Sequence, residues 1–366
     1  MNSMESNNLH LSVIIPTYNR AGMICRAIDS VIPQLTVDDE IIVIDDGSTD
    51  GTEESLNKVR DRIIYRRISN GGAGRARNEG IEIAHNGLIA FLDSDDEWMT
   101  KKIELQRALL QARPDVLFCF SDWRDLDSDP GPVELVSHFH LAYFGKDKSF
   151  GEYILGPGVP FSSIAPLPEG MDDFMVHIGD LYGKEMEREL VSVITLMYRR
   201  GSKHRGDLKF PEDLPTREEW EFVGKLARKG LAAYLDCATA IAHRHEGPEL
   251  IKLDHLDPIA FLNARIKLLE RVWGADTAFL KDHREEYLMV NREVHKSLIT
   301  EFLRVGRTQE AREEIRKNRN IPTTYKLLSR FPGFVNRSLF HSRFLGFVKR
   351  SLFHFERDIL KRRIIF

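Results

Sequence analysis

Between residues 11 and 120 the chain alternates short apolar runs with stretches of helical period, and the apolar runs end in polar loops. The runs 11–15 (Leu-Ser-Val-Ile-Ile), 40–44, 63–68, 88–92 and 116–120 predict strands, and the stretches 21–34, 50–60, 74–85 and 99–111 predict helices. Continuous apolar strands separated by helices predict an α/β fold with a largely parallel sheet covered on both faces. In such sheets ligands bind beyond the carboxyl ends of the strands. The loops 16–20, 45–50 and 93–96 all fall there, so three polar segments are expected to converge on one crevice.

The remainder is less regular. Residues 121–189 are rich in Gly, Pro and acidic residues, as in an insertion or a functional loop region. A strand is expected over 191–198, a helix over 216–229 ended by Gly230, and an extended stretch from 232–235 to 241–245. Beyond these, 256–272, 283–305 and 308–317 read as helices, and 298–317 resembles a tetratricopeptide-like pair with Gly306 in its turn. The expected organisation is a disordered lead over 1–10, a first domain over 11–250 (halves 11–120 and 121–250), a helical region over 251–329 and a basic amphipathic tail over 330–366. That tail carries nine Lys and Arg against Glu356 and Asp358, and the pentapeptide Arg-Ser-Leu-Phe-His occurs in it twice, at 337–341 and 350–354. Basic residues interleaved with large apolar ones suit an anionic membrane surface, while packing of Phe and Leu inward or an oligomer contact stays open.

Bulk composition narrows the class by exclusion. With 30% charged residues and a net charge of -4 there is no overall footprint of nucleic-acid binding. Cys25, Cys119 and Cys237 are widely spaced, which fits neither a disulfide framework nor a thiolate zinc site and predicts a reducing, cytoplasmic setting. The first ten residues lack a signal-peptide core, and no run reaches the roughly 18 apolar residues of a membrane span.

Three loops carry chemistry. Asp93, Asp95 and Asp96 crowd three carboxylates directly after a strand, which calls for a cation or an exposed helix-capping turn. A hard divalent ion, Mg²⁺ or Mn²⁺, would share oxygen ligands between one or two of them and a diphosphate. The loop 45–50 suits either a strand-to-helix turn capped by Ser48 or Asp50, or a carboxylate that accepts a hydrogen bond from a nucleobase or ribose. Asn70-Gly-Gly-Ala-Gly-Arg-Ala-Arg-Asn78 opens a helix but puts Arg77 where a dinucleotide fingerprint needs its third glycine, and no Walker-type Gly-Lys-Ser/Thr occurs. Arg75 and Arg77 at a helix N-terminus would suit an anionic diphosphate, against the plainer reading of a glycine turn with solvated arginines.

In order and spacing, Ser12-Val-Ile-Ile-Pro-Thr-Tyr-Asn-Arg20, Ile42-Val-Ile-Asp-Asp-Gly-Ser-Thr-Asp50, the Asn70–Asn78 segment and Phe91-Leu-Asp-Ser-Asp-Asp96 closely resemble the successive motifs of family 2 glycosyltransferases. The resemblance spans roughly the first 120 residues. It implies a Rossmann-like, mostly parallel sheet of the A-type glycosyltransferase fold, followed by an α-helical C-terminal region. It also implies an inverting transfer of a sugar from a nucleotide-diphosphate donor, a UDP-sugar first, to a glycan or lipid-linked acceptor in surface-polysaccharide or glycolipid assembly.

The resemblance further implies roles. Pro16 and Tyr18 would contact base and ribose, Asp46 would hydrogen-bond the base, and Asn70 with Arg77 would hold the donor. Asp95 would be the direct metal ligand, Asp93 a ribose or sugar contact that also serves the metal, and Asp96 would share the task. The family's base is usually the aspartate of a Glu-Asp pair; here the matching stretch is Arg217-Glu218-Glu219-Trp220, so Glu219 is expected to deprotonate the acceptor, with Glu218 second. His245 would lie against the diphosphate. The rivals are a sugar nucleotidyltransferase, which would need a phosphate loop after the first strand where Pro-Thr-Tyr-Asn-Arg stands, and a non-catalytic scaffold that keeps the sheet. Peripheral attachment to the inner membrane face and a homo-oligomer stay open.

Overall fold

The computed structural model describes residues 9–126, 134–135, 149–201, 208–214, 216–243, 257–318, 321–322 and 325. The chain divides into two compact units, Met1–His138 with Lys148–Gly247, and Phe139–Asp147 with Pro248–Phe366.

The first unit is built on one sheet. Its strands are β1 (Leu11–Thr17), β2 (Glu40–Asp45), β3 (Ile64–Arg67), β4 (Leu88–Phe91), β5 (Glu97–Trp98), β6 (Val116–Leu126), β7 (Glu134–Leu135), β8 (Gly158–Pro160), β9 (Met175–Gly179), β10 (Met197–Arg199) and β11 (Leu231–His243). Their order is β3-β2-β1-β4-β10-β6-β11-β9-β8, with β5 on β11 and β7 on β6. The expected parallel pairing runs through β3-β2-β1-β4 and joins β6 to β11. Antiparallel strands complete the rest: β10 sits between β4 and β6, and β9 pairs with β11.

All seven residues of β1 are buried, as its unbroken apolar run requires. Leu11, Val13 and Ile15 join one core cluster with Ile24, Ala27, Ile28 and Val31 of α1 (Ile24–Val31). Ile14 faces the opposite way, where a Cβ on Gly80 would come within 2.4 Å of Ile14 Cγ2. Each such aliphatic burial contributes about 1.5–3 kcal/mol, which fixes the strand register and with it the strand ends.

Two expectations needed correction. The apolar run 191–198 is not one strand but a 3₁₀ turn, Val193–Thr195, followed by the three-residue β10. Side chains take its carbonyls: Trp98 Nε1 donates to Ile194 O, and Lys102 Nζ and Gln106 Nε2 both donate to Thr195 O. The expected helix 50–60 is α-helical only over α2 (Thr52–Ser55) and continues as 3₁₀ from Leu56 to Arg62, where Leu56 alone is buried and no apolar stripe supports an α-helix. Helices α3 (Ala73–Ile83) and α4 (Lys102–Ala112) lie close to expectation. The segment left unread contains α5 (Phe150–Leu155), α6 (Tyr182–Glu187), β8 and β9, and α7 (Glu218–Ala227) precedes β11.

The second unit is helical where described. It comprises α8 (Pro258–Leu269), which continues as a π turn over Glu270–Gly274, then α9 (Phe279–Arg304) and α10 (Thr308–Lys317). Gly306 turns the chain between the last two at φ +81. A buried pair, His295 Nδ1 and Glu314 Oε1 at 2.6 Å, ties α9 to α10. Among the described residues no helix is long and apolar enough to cross a membrane.

Candidate active site

β1, β2, β3 and β4 run parallel and end on one side of the sheet, and Arg77 of α3 joins the loop after β4 to α7. Its side chain is 2% exposed. Nη2 donates to Asp93 Oδ1 at 2.8 Å and to Glu219 Oε1 at 2.7 Å, while Nη1 donates to Glu218 Oε1 at 3.1 Å. Burial works against the guanidinium charge, but Asp93, Glu219 and Glu218 together hold its pKa above the usual arginine value. A residue expected against the donor diphosphate is thus enclosed by three carboxylates. Its chemistry here is to hold an acid from the end of β4 beside two acids at the start of a helix, 141 and 142 residues after Arg77 itself.

Apolar packing sets that geometry. Phe222, one turn beyond Glu219, stacks on Phe210 at 4.1 Å between ring centroids and meets Phe91 edge-on at 5.8 Å. Phe91 ends β4 two residues before Asp93, so this cluster registers α7 against the acidic loop. Asn78, for which the sequence suggested no role, supports the same arrangement. Its amide donates to Phe210 O at 2.9 Å and its Oδ1 accepts from Phe210 N at 2.8 Å.

The two glutamates differ in access. Glu218 is 7% exposed and Glu219 22% exposed, beside Asp93 at 31%. Burial pushes the Glu219 carboxyl up, to about 8; Arg77 pulls it down, and Asp93, Glu218 and Glu189 push it up further. A carboxylate raised in this way is a stronger base than an ordinary glutamate.

The acidic loop itself is crowded. Asp95 Oδ2 accepts from Arg20 Nε at 3.1 Å, and the Asp95 carbonyl accepts from Arg26 Nη2 at 2.6 Å. Asp96 Oδ1 accepts the His243 amide at 2.9 Å. Burial, then Asp93, then Asp95, hold the Asp96 carboxyl well above the usual range, with the His243 amide opposing. Carboxylates crowded closely enough for two of them to raise a third are a fitting donor set for a hard cation. Among the described residues, no three His, Cys, Asp or Glu side chains are grouped to hold a metal ion by themselves. The set therefore suits a cation that takes one or two protein oxygens and fills its shell from a diphosphate.

At the end of β2 the acids are bound largely to backbone. Asp46 Oδ1 and Oδ2 accept the amides of Gly71 and Gly72 at 2.8 and 2.7 Å, and Asn70 Nδ2 donates to Asp46 O at 3.1 Å. Gly72 has φ +90, a backbone that a side chain would strain. Asp45 accepts from Ser48 N at 2.7 Å and Tyr65 OH at 2.8 Å. Asp50, expected with Ser48 as a candidate cap, accepts Thr52 N at 3.1 Å, but the N-cap position of α2 is Gly51 and no side chain caps the helix. Pro16 is buried within β1, whereas Tyr18 just beyond it is 46% exposed. Asp46 thus ties the 45–50 loop to the glycine segment with both carboxylate oxygens, and Pro16 offers no exposed face. His245 lies outside the described residues. Its neighbour His243 has Nε2 2.8 Å from Glu97 Oε1.

Comparison with known proteins gives this geometry a lineage. Glycosyl transferase family 2 matches residues 12–159. The putative teichuronic acid biosynthesis glycosyltransferase TuaG of Bacillus subtilis is 37% identical over 228 residues, 61% of this chain and 74% of that protein. The chain belongs to glycosyl transferase family 2. A further family relative, the UDP-Glc:alpha-D-GlcNAc-diphosphoundecaprenol beta-1,3-glucosyltransferase WfaP of Escherichia coli, is 41% identical over 117 residues, 31% of this chain and 45% of that protein. The match spans about a quarter of the length of an uncharacterized glycosyltransferase from Rickettsia felis, at 24%. Among solved structures, S. aureus TarS 1-349 in complex with UDP-GlcNAc aligns with TM-score 0.57 and 18% identity, over 89% of this chain and 88% of that one. The mannosyltransferase PcManGT from Pyrobaculum calidifontis, in complex with GDP-Man and Mn2+, aligns with TM-score 0.50 and 14% identity over 96% and 86%. These alignments establish the shared fold of this family 2 chain.

Proposed function

We propose that this chain is an inverting, metal-assisted glycosyltransferase that moves a sugar from a nucleotide-diphosphate donor to an acceptor hydroxyl, with Glu219 as the base. The observation that carries the reading is the buried Arg77 contact set, which puts a donor-side acid, Asp93, beside the most accessible glutamate of α7. Asp95, with Asp93 and Asp96, would hold Mn²⁺ or Mg²⁺, which when bound supplies charge neutralisation for the leaving diphosphate. Tyr18, Asn70 and the amides gathered by Asp46 form the proposed nucleotide side of the crevice. Arg77 fixes the Glu219 carboxylate, and Glu219 takes the proton of the attacking hydroxyl as it meets the anomeric carbon opposite the leaving group. Displacement from that face inverts the centre.

WfaP's name specifies UDP-glucose and a diphosphoundecaprenol-linked acceptor, and TarS holds UDP-GlcNAc. A UDP-sugar and a polyprenyl-linked acceptor are therefore the first pair to assay. Nucleoside diphosphate release from UDP-, GDP- and dTDP-sugars is measured with Mn²⁺ or Mg²⁺, beside Asp95→Ala and Glu219→Gln. Release that needs the cation, Asp95 and Glu219 is expected; metal-independent release or a fully active Glu219→Gln variant defeats the mechanism. The proposed membrane role of 330–366, a segment outside the described residues, is tested by flotation with anionic vesicles. The full chain should rise with the lipid and a chain ending at Ser329 should not.

A further inference from the structure

Among the described residues three non-glycine positions have positive φ: Asn19 at +53, Lys101 at +74 and Arg217 at +68. All three flank the candidate site. Asn19 precedes Arg20, the partner of Asp95; Lys101 caps the helix after the acidic loop; Arg217 immediately precedes Glu218 and Glu219. A side chain stays in the left-handed region only where its surroundings hold it there.

Residues 185–190 supply holding contacts at Arg217 and one turn beyond it. Arg217 Nη1 pairs with Glu189 Oε2. One turn on, Trp220 Nε1 donates to the Glu185 carbonyl at 2.7 Å, and Glu185 Oε1 in turn accepts from Leu190 N at 3.4 Å, closing residues 185–190 on themselves. The N-terminus of α7 has no side-chain cap, so the usual device that fixes the direction of a first turn is missing. The bond from Glu221 N to Arg217 O, at 3.3 Å, starts the helix from the left-handed residue itself.

We infer that Arg217 and Glu189 are positioning residues that aim the first turn of α7, and so the Glu219 carboxylate, at Arg77 and Asp93. Released from Glu189, Arg217 relaxes towards negative φ and the turn rotates away from the reacting groups. The proposed donor side, Tyr18, Asn70 and the 93–96 loop, lies outside α7 and is expected to stay in place. This inference rests on the reading of Glu219 as the base.

The test uses the full chain with Glu189→Gln, Arg217→Ala, Arg217→Lys and the double variant. Glu189→Gln and Arg217→Ala should each lower kcat on the order of 10- to 100-fold, as misplacement of a reacting group does, with donor KM unchanged. The double variant should be no worse than either, and Arg217→Lys should recover part of the rate. Hydrogen exchange gives a readout independent of turnover: the Glu221, Phe222 and Val223 amides should exchange several-fold faster in Glu189→Gln and Arg217→Ala, with the strands unaffected. Unchanged exchange in that turn overturns the inference even if no transfer activity is found. So does an equal rise across the whole sheet, or a loss expressed in donor KM. Absence of nucleotide release in the unaltered chain would instead count against the proposed function alone.

Discussion

Two acidic strand ends of the same sheet have been given opposite kinds of partner. At the end of β2, Asp45 and Asp46 meet the amides of Ser48, Gly71 and Gly72 and the hydroxyl of Tyr65. At the end of β4, Asp93 and Asp95 meet the guanidinium groups of Arg77 and Arg20, and Asp96 is raised by burial and then by its acidic neighbours. Backbone amides are fixed by the fold, so the first pair shapes a loop. The second set depends on a few charged side chains, and its balance shifts with any proton or cation that enters. An identical Asp-Asp spelling thus serves as glue in one place and, in the proposed function, as a reactive centre in the other.

The sharpest way to break this contrast is Arg77→Ala. Three carboxylates would lose a buried cation, an effect of about 3–5 kcal/mol, and both a large fall in the urea midpoint and loss of transfer are expected. If Arg77→Ala folds as stably as the parent chain, the β4 centre is no more dependent on charge than the β2 end. Glu219→Gln comes next. Its rate should fall by about 100- to 10,000-fold while stability is retained, because the change removes one of several mutually repelling acids.

A smaller effect is the pH dependence of stability. The folded-state pKa of Glu219 lies above its ordinary 4.5, at about 8. The folded chain therefore holds this proton more tightly than the unfolded one. That contribution is complete below about pH 4.5 and disappears as pH rises through 8. Melting temperature should decline across this window and decline less in Glu219→Gln; equal slopes would show that the centre does not titrate. Smallest is Tyr65→Phe at the β2 end, which removes one donor to Asp45 and should lower stability by about 1–2 kcal/mol, visible in chemical denaturation with kcat unaltered.

Much of the parallel half of the sheet was legible in the sequence because β1, β2, β4 and β6 are buried on both faces and spell that out as runs of Ile, Val, Leu and Phe. The acidic loops were legible as well, since they follow those runs directly. Arg77 was recognised as a site residue, but its contacts with Asp93, Glu218 and Glu219 were not foreseen, because the two glutamates lie up to 142 residues away in sequence and only the folded chain brings them together. Asn78 and Arg217 stood within quoted motifs but were given no role, for a related reason. One works through hydrogen bonds to a distant backbone and the other through a backbone angle, and neither leaves a periodic or compositional trace. The short β10 was hidden by the apolar run around it, whose carbonyls are taken by Trp98, Lys102 and Gln106.

β10 also bears on how such a chain is made and how it can diverge. It is translated after β4 and β6 yet slots between them, so a nascent chain that has reached only residue 159 leaves both strands with bare facing edges, open to mispairing. Sheet closure must wait for residues 197–199. The same stitch lets the intervening segment leave from one strand and return to its immediate neighbour, so its length is constrained only where β8, β9 and residues 185–190 are tied to the sheet and to α7. Insertions elsewhere in it need not shift the strand ends that carry the acidic loops.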